Sequence, residues 1–259
     1  GEDPVRIGFS GPLQGPYSDL GVQGRNGARL AVEDINERGG VAGRRLELLV
    51  ADDSQKGLGP VEADKELIKA GVVAIIGHMT SSQTLAAMED SNQQDVPLIS
   101  PTTSTPRLSG KKDRFFRVMS AHTDWARAMA RHASTREGVR TIGVLADMDN
   151  KAYSQSFSTA FAEAFEQESD NRVHVETFTS SSRNLDVMVE EFMKNREMDA
   201  ALVVASAHDA ARIIRYVHVS KPDLLILLAP WAFTHQLVEQ GGEAVNGVIT
   251  AMSFSEDIE

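Results

Sequence analysis

The chain reads as an α/β protein built on parallel sheets. Three observations predict this: apolar strand-length runs recur from end to end, most are continuous rather than alternating, and helical stripes fill the intervals between them. Continuous apolar runs belong to strands covered on both faces, and parallel strands require a crossover helix between them. The opening makes the pattern explicit. Val5–Pro12 (VRIGFSGP) is an apolar strand running into a Gly/Pro loop. A glycine-spaced helix over Gly24–Asn36 follows, with Ala28, Ala31, Val32 and Ile35 at i, i+3, i+4 and i+7. After Gly39-Gly40, Arg44–Asp53 (RRLELLVADD) supplies a second strand ending in two aspartates. Strand, loop, helix, strand is one crossover unit. In such sheets ligands sit at the carboxyl ends of the strands.

The remaining strand candidates are Val72–Gly77, Pro97–Ser100, Phe115–Met119, Thr141–Ala146, His174–Thr177, Ala201–Ala205, Leu224–Leu228 and Val248–Met252. Between them Leu85–Asn92 and Asp124–Arg136 read as helical. Phe157, Ala160, Phe161, Ala164 and Phe165 form one stripe, and Leu185, Met188, Val189 and Phe192 another. A length of 259 residues suits one large domain or two ordinary ones. Phe115–Met119 closes a first series of elements and Asp124–Arg136 opens a second, which puts a division near Ser120. No Pro/Gly/Ser linker marks it.

Composition narrows the function. At 41% hydrophobic and 24% charged the chain has ample core and ample solubility, and no apolar run approaches a bilayer-spanning length. A formal charge of −11 argues against nucleic acid and anionic membranes as partners. Cysteine is absent, which removes disulfides, thiolate metal sites and cysteine nucleophiles together. The start, Gly-Glu-Asp-Pro, has neither an initiator Met nor an apolar leader, as after removal of a signal peptide or in an expressed fragment.

Two hydroxyl-rich loops follow strand candidates. His78–Thr84 (HMTSSQT) precedes a helix, and its hydroxyls and free amides there are either an N-cap or an anion site. Ser100–Pro106 (SPTTSTP) is either a proline-stiffened turn or a second source of donors. Loops at adjacent strand ends converge, so together they can supply four or five donors to a carboxylate without a cation. Elsewhere the chemistry is thin. Asp52-Asp53 at a strand end is accounted for by loop hydrogen bonds, and Gly21, Gly24 and Gly27 form G-x-x-G-x-x-G rather than a dinucleotide fingerprint. No Walker lysine, HExxH or G-x-S-x-G arrangement is present, and most of the seven histidines read as surface or core singles. The expectation is a protein with no catalytic residues, no metal site and no cofactor.

The phrases GPLQGPYSDLG, NGARLAVEDINERGGVAGRRLELLVADD, AIIGHMTSS and PLISPTTSTPRLS, in that order, resemble the type I periplasmic solute-binding proteins. More narrowly they resemble the branched-chain (Leu/Ile/Val) amino-acid-binding family of ABC transporters. The likeness covers nearly the whole chain and is densest from Val5 to Arg117. It implies two doubly wound parallel-sheet lobes, residues 1–120 and 121–250, joined by hinge segments around an interlobe cleft. Residues 251–259 would be a crossing segment returning toward the first lobe, and the C-terminal part of the fold would be missing.

The resemblance also implies roles. Ser81 matches the serine that holds a ligand carboxylate, Thr102 a backbone contact and Ser104 a side-chain contact. Tyr153 matches a cleft tyrosine, although a Tyr at a helix start is otherwise a packing residue. Ser206 stands where the amino-acid binders usually carry an aromatic. Trp231 stands where they carry an acid that pairs with the ligand ammonium; otherwise it is a core tryptophan under a loop. A buried zwitterion without a counter-charge costs several kcal/mol. The pattern therefore fits a small carboxylate, amide or aromatic acid, its polar end on Ser81 and Ser104 and its body against Trp231, Tyr17 and Leu20. Asp209 or Asp147 could restore the charge for an amino acid. The function implied is a noncatalytic extracytoplasmic receptor, periplasmic or equivalent, that delivers its solute to an ABC permease or a membrane sensor. The alternatives are an α/β enzyme acting on a small acid, which needs a nucleophile-base pair or cofactor motif, and the effector domain of a regulator, which needs a DNA-binding module.

Overall fold

The computed structural model describes residues 3–89, 95–182, 184–194 and 197–252. The chain divides into two compact units, Gly1–Ser120 and Ala121–Glu259. The expected crossing segment at 251–259 lies, beyond Met252, outside the described residues.

The first unit runs β1 (Val5–Gly11), α1 (Ser18–Glu37), β2 (Leu46–Asp52), α2 (Pro60–Lys69), β3 (Ala74–Ile76), α3 (Ser81–Glu89), β4 (Leu98–Ser100) and β5 (Phe115–Arg117). Its strands form one parallel sheet in the order β2-β1-β3-β4-β5. The winding reverses at β1, between β2 and β3, and that reversal is the switch point where loops part and leave a crevice. Helix α1 begins several residues before the expected Gly24. Glycines are poor helix formers, but here close approach decides. A Cβ on Gly21 would sit 1.7 Å from the Pro12 carbonyl oxygen, and one on Gly24 2.5 Å from the Met79 methyl. The glycines let α1 lie against the β1 loop and the Phe9–Met79 cluster.

The second unit runs α4 (His122–Ser134), β6 (Thr141–Asp147), α5 (Lys151–Phe165), β7 (Arg172–Phe178), α6 (Leu185–Lys194), β8 (Ala200–Val204), α7 (Ala207–Ser220), β9 (Leu225–Leu228), α8 (His235–Gly241) and β10 (Ile249–Thr250). Its parallel order, β10-β9-β8-β6-β7, repeats the winding of the first sheet, with the switch at β6. Every residue of β8 is buried, as its unbroken run AALVV requires. Two apolar clusters fill this unit. One gathers α6, α7 and α8 around Leu145, Phe192 and Ile213. The other gathers α4 and α5 around Ile142, Phe157 and Phe161.

Candidate functional site

In the first unit the candidate residues cluster at the carboxyl edge of β3 and β4. Ser81 opens α3 and is 2% exposed. Its neighbour does the capping. Thr80 Oγ1 accepts the Gln83 amide at 3.3 Å, and the Thr80 carbonyl accepts from the Thr84 amide and hydroxyl. Ser81 Oγ is left buried with no hydrogen-bond partner. A lone buried hydroxyl is costly unless something else binds it. This separates the two readings of HMTSSQT: Thr80 is the cap and Ser81 is spare.

The second hydroxyl loop is tied directly to the first. Ser100 Oγ and Thr103 Oγ1 donate to the His78 carbonyl at 2.6 and 3.0 Å, and Thr102 Oγ1 donates to the Met79 carbonyl at 2.6 Å. Thr84 and Thr103 share a hydroxyl contact at 2.7 Å. The side chain of Thr102 is thus consumed, and its amide donates to Ser100 Oγ at 3.2 Å, so neither group is spare for the expected contact, while Ser104 is buried nearby in sequence. Leu20 packs at the rim of the Phe9–Met79 cluster, and Tyr17 immediately precedes α1, half-buried.

Beneath these loops lies an arrangement that the sequence does not reveal. His78 is fully buried, with Nδ1 2.6 Å from Asp53 Oδ2 and Nε2 2.9 Å from Asp64 Oδ2. Ser10 Oγ is 3.3 Å from the same Nδ1, and Gln83 Nε2 donates to Asp53 Oδ1 and to its carbonyl. An ionised carboxylate can only accept, so a ring between two of them must donate from both nitrogens and carry a charge. Burial works to lower the His78 pKa, but the hydrogen bonds and charges of Asp53 and Asp64 outweigh it and push it up to about 9. Burial raises Asp53 as well, against the pull of His78. His78 is therefore an exception to the expectation that most of the histidines are singles, and Asp53 is more than a loop aspartate. Asp52 does behave as the sequence indicates. Burial pushes it up, but bonds from Leu13, Gln14 and Ser54 hold its pKa below the ordinary value.

In the second unit Tyr153 and Trp231 come together at the ends of β6 and β9. Their rings meet edge-on at 5.5 Å between centroids. Tyr153 also stacks on Phe157 at 5.5 Å and touches the His122 ring at 4.4 Å. Burial pushes the Tyr153 phenol well up, with the Trp231 main chain opposing the shift, so it stays protonated. Trp231 is half-buried against the α4/α5 cluster. Ser206 serves the fold, because as N-cap of α7 its hydroxyl accepts the Asp209 amide.

The acids that could replace the missing counter-charge are engaged. Asp147 Oδ1 accepts the Asp149 and Ser180 amides, and Asp209 Oδ2 accepts the Ser180 hydroxyl. Burial raises the Asp209 pKa. No cluster of three or more His, Asp or Glu fit to hold a metal occurs among the described residues.

Two parallel units of the same winding, each with polar or aromatic groups at its carboxyl edge, define the class of type I solute receptors. Comparison with known proteins agrees. The Periplasmic binding protein family matches residues 4–259, and the chain belongs to it. A leucine-, isoleucine-, valine-, threonine- and alanine-binding protein of Pseudomonas aeruginosa is 25% identical over 74% of this chain and 51% of its own length. The chain spans about half the length of the curated relatives it matches. Among solved structures, a leucine-binding protein of Thermotoga maritima superposes with a TM-score of 0.82 at 26% identity, covering 94% of this chain and 68% of that one. A fatty acid ABC transporter substrate-binding protein from Thermomonospora curvata has a TM-score of 0.79 at 20% identity over 95% and 62%, so the same fold serves solutes of different chemistry. No described helix is long and apolar enough to cross a membrane.

Proposed function

We propose that this chain is the solute-recognising part of a noncatalytic periplasmic or extracytoplasmic receptor that serves an ABC permease or a membrane sensor. Its solute is a small carboxylate, amide, aromatic acid or amino-acid-like molecule. The observation that carries the reading is Ser81: its hydroxyl is buried and unpartnered at the start of a nine-residue helix, beside a loop whose main chain is already fixed. A carboxylate there gains the hydroxyl, the helix-terminal amides and the Ser104 contact. The names of relatives that bind leucine, isoleucine and valine, and of one that binds a fatty acid, support an acid group as the shared feature.

Selectivity follows from the second unit. Tyr153 and Trp231 present rings rather than a carboxylate, and the nearby Asp147 and Asp209 already hold the Ser180 segment. An aromatic or aliphatic acid suits that chemistry better than a zwitterion, whose ammonium lacks a free counter-charge. Calorimetry with benzoate, phenylacetate, butyrate, L-leucine and L-isoleucine tests this. Benzoate or phenylacetate is expected to bind more tightly than L-leucine, and Ser81→Ala or Trp231→Ala to weaken binding ten- to a thousandfold, about 1–4 kcal/mol. Unchanged affinity in both variants would remove the site.

A further inference from the structure

We propose that His78 is a positioning residue of this site: clamped as an imidazolium between Asp53 and Asp64, it presents its own carbonyl as the anchor that seats the Ser100–Thr105 loop beside Ser81. This rests on the site proposed above and names the part of the molecule that sets its geometry.

Three elements grip the ring. Asp53 follows β2, Asp64 lies in α2, and Ser10 belongs to β1, while Gln83 of α3 ties Asp53 in turn. The charged groups facing His78 are Asp53 and Asp64, with Asp52 behind Asp53. Two directed bonds on opposite ring nitrogens fix both the position and the rotation of the imidazole. The ring thereby fixes the main chain of residue 78, two peptide units after β3 and three residues before Ser81.

The carbonyl of that residue is where the loops join. It accepts both the Ser100 and the Thr103 hydroxyls, and Ser100 Oγ in turn accepts the Thr102 and Thr103 amides at 3.2 and 2.9 Å. A chain of hydrogen bonds therefore leads from the buried ion triad, through one carbonyl, to the loop that bears Thr102 and Ser104. A neutral imidazole donates from only one nitrogen, so it cannot satisfy both carboxylates. Loss of the charge loosens the ring, then the carbonyl, then the loop.

The test combines three readouts on the whole chain. Histidine nitrogen NMR on the wild type is expected to show the His78 ring doubly protonated at pH 7.5. Amide hydrogen exchange on Asp64→Asn and Asp53→Asn is expected to accelerate at least tenfold at Thr102 and Thr103, with the β1 amides of Ile7–Ser10 changing less than threefold. Calorimetry with benzoate, and with L-leucine in parallel, is expected to weaken at least tenfold in the same variants. The proposal is overturned if the wild-type ring is singly protonated at pH 7.5, or if Thr102 and Thr103 exchange as in the wild type. It is equally overturned if loop and β1 amides accelerate together, since that is general destabilisation. His78→Gln supplies a second variant should either aspartate change prevent folding. If the wild type binds neither benzoate nor L-leucine, the receptor reading fails for these probes, while the exchange data still decide the role of His78.

Discussion

The two units share a winding but differ in what gathers at their carboxyl edges. In the first, an imidazolium, two carboxylates and a set of hydroxyls hold the loops after β2, β3 and β4. In the second, the rings of Tyr153, Phe157 and Trp231 stack and pack with the cluster that includes residues of the fully buried β8. Directed bonds fix donor positions to a fraction of an ångström, which suits recognition of a small anion. Packed rings are broad and tolerant, which suits an apolar body of variable shape.

If the second unit depends on packing, removing a core ring should have the largest effect in the molecule. Phe161 is 0% exposed and stacks on Phe165 with centroids 6.0 Å apart. Phe161→Ala is expected to destabilise this unit by about 3–5 kcal/mol, read from its own transition in urea. A loss under about 1 kcal/mol would break the contrast, because it would mean the rings are not what holds the second edge.

The first unit should instead show its dependence on charge. The His78 pKa, raised to about 9 from an ordinary 6.5, favours the folded state when the ring is protonated. The folded protein binds the extra proton, so this stabilisation is complete below pH 6.5 and disappears as pH rises through 9. The full span is about 3 kcal/mol. Urea midpoints of the first unit should fall between pH 7 and 10 in the wild type and stay flatter in His78→Gln. A first unit as indifferent to this pH range as the second would end the comparison.

How much of this was legible in the sequence follows the same divide. Continuous apolar runs such as AALVV and LILL announce buried parallel strands, because strand burial leaves its mark on neighbouring positions. Ser81 was legible as a hydroxyl at a helix start, whereas Tyr153 and Trp231 were singled out only through the family resemblance. What could not be read was which hydroxyl caps α3, since Thr80, Ser81 and Ser82 are equivalent in composition and only the Gln83 amide chooses among them. Nor could the ion triad be read: His78 lies 25 positions from Asp53 and 14 from Asp64, and only the order β2-β1-β3 draws the three together. The start of α1 was hidden because Gly21 and Gly24 weaken the helical signal while tertiary approach demands them.

The smallest effect tests the first sheet on its other side. Phe115 and Phe116 are neighbours on β5, but alternation sends them to opposite faces: Phe115 is buried and Phe116 is 58% exposed. Phe116 stands across from Ile99, itself 41% exposed, so the two form an open apolar pair over β4 and β5. Such an exposed pair contributes through cross-strand contact alone, and a surface change of this kind is worth about 0.5 kcal/mol. Phe116→Ser should therefore shift the stability of the first unit by about 0.5 kcal/mol, whereas the same change at Phe115 should cost several times more. Denaturation of the two variants side by side measures the ratio. Equal losses would mean that both faces of β5 are covered in solution, and the first unit would then rely on packing as heavily as the second.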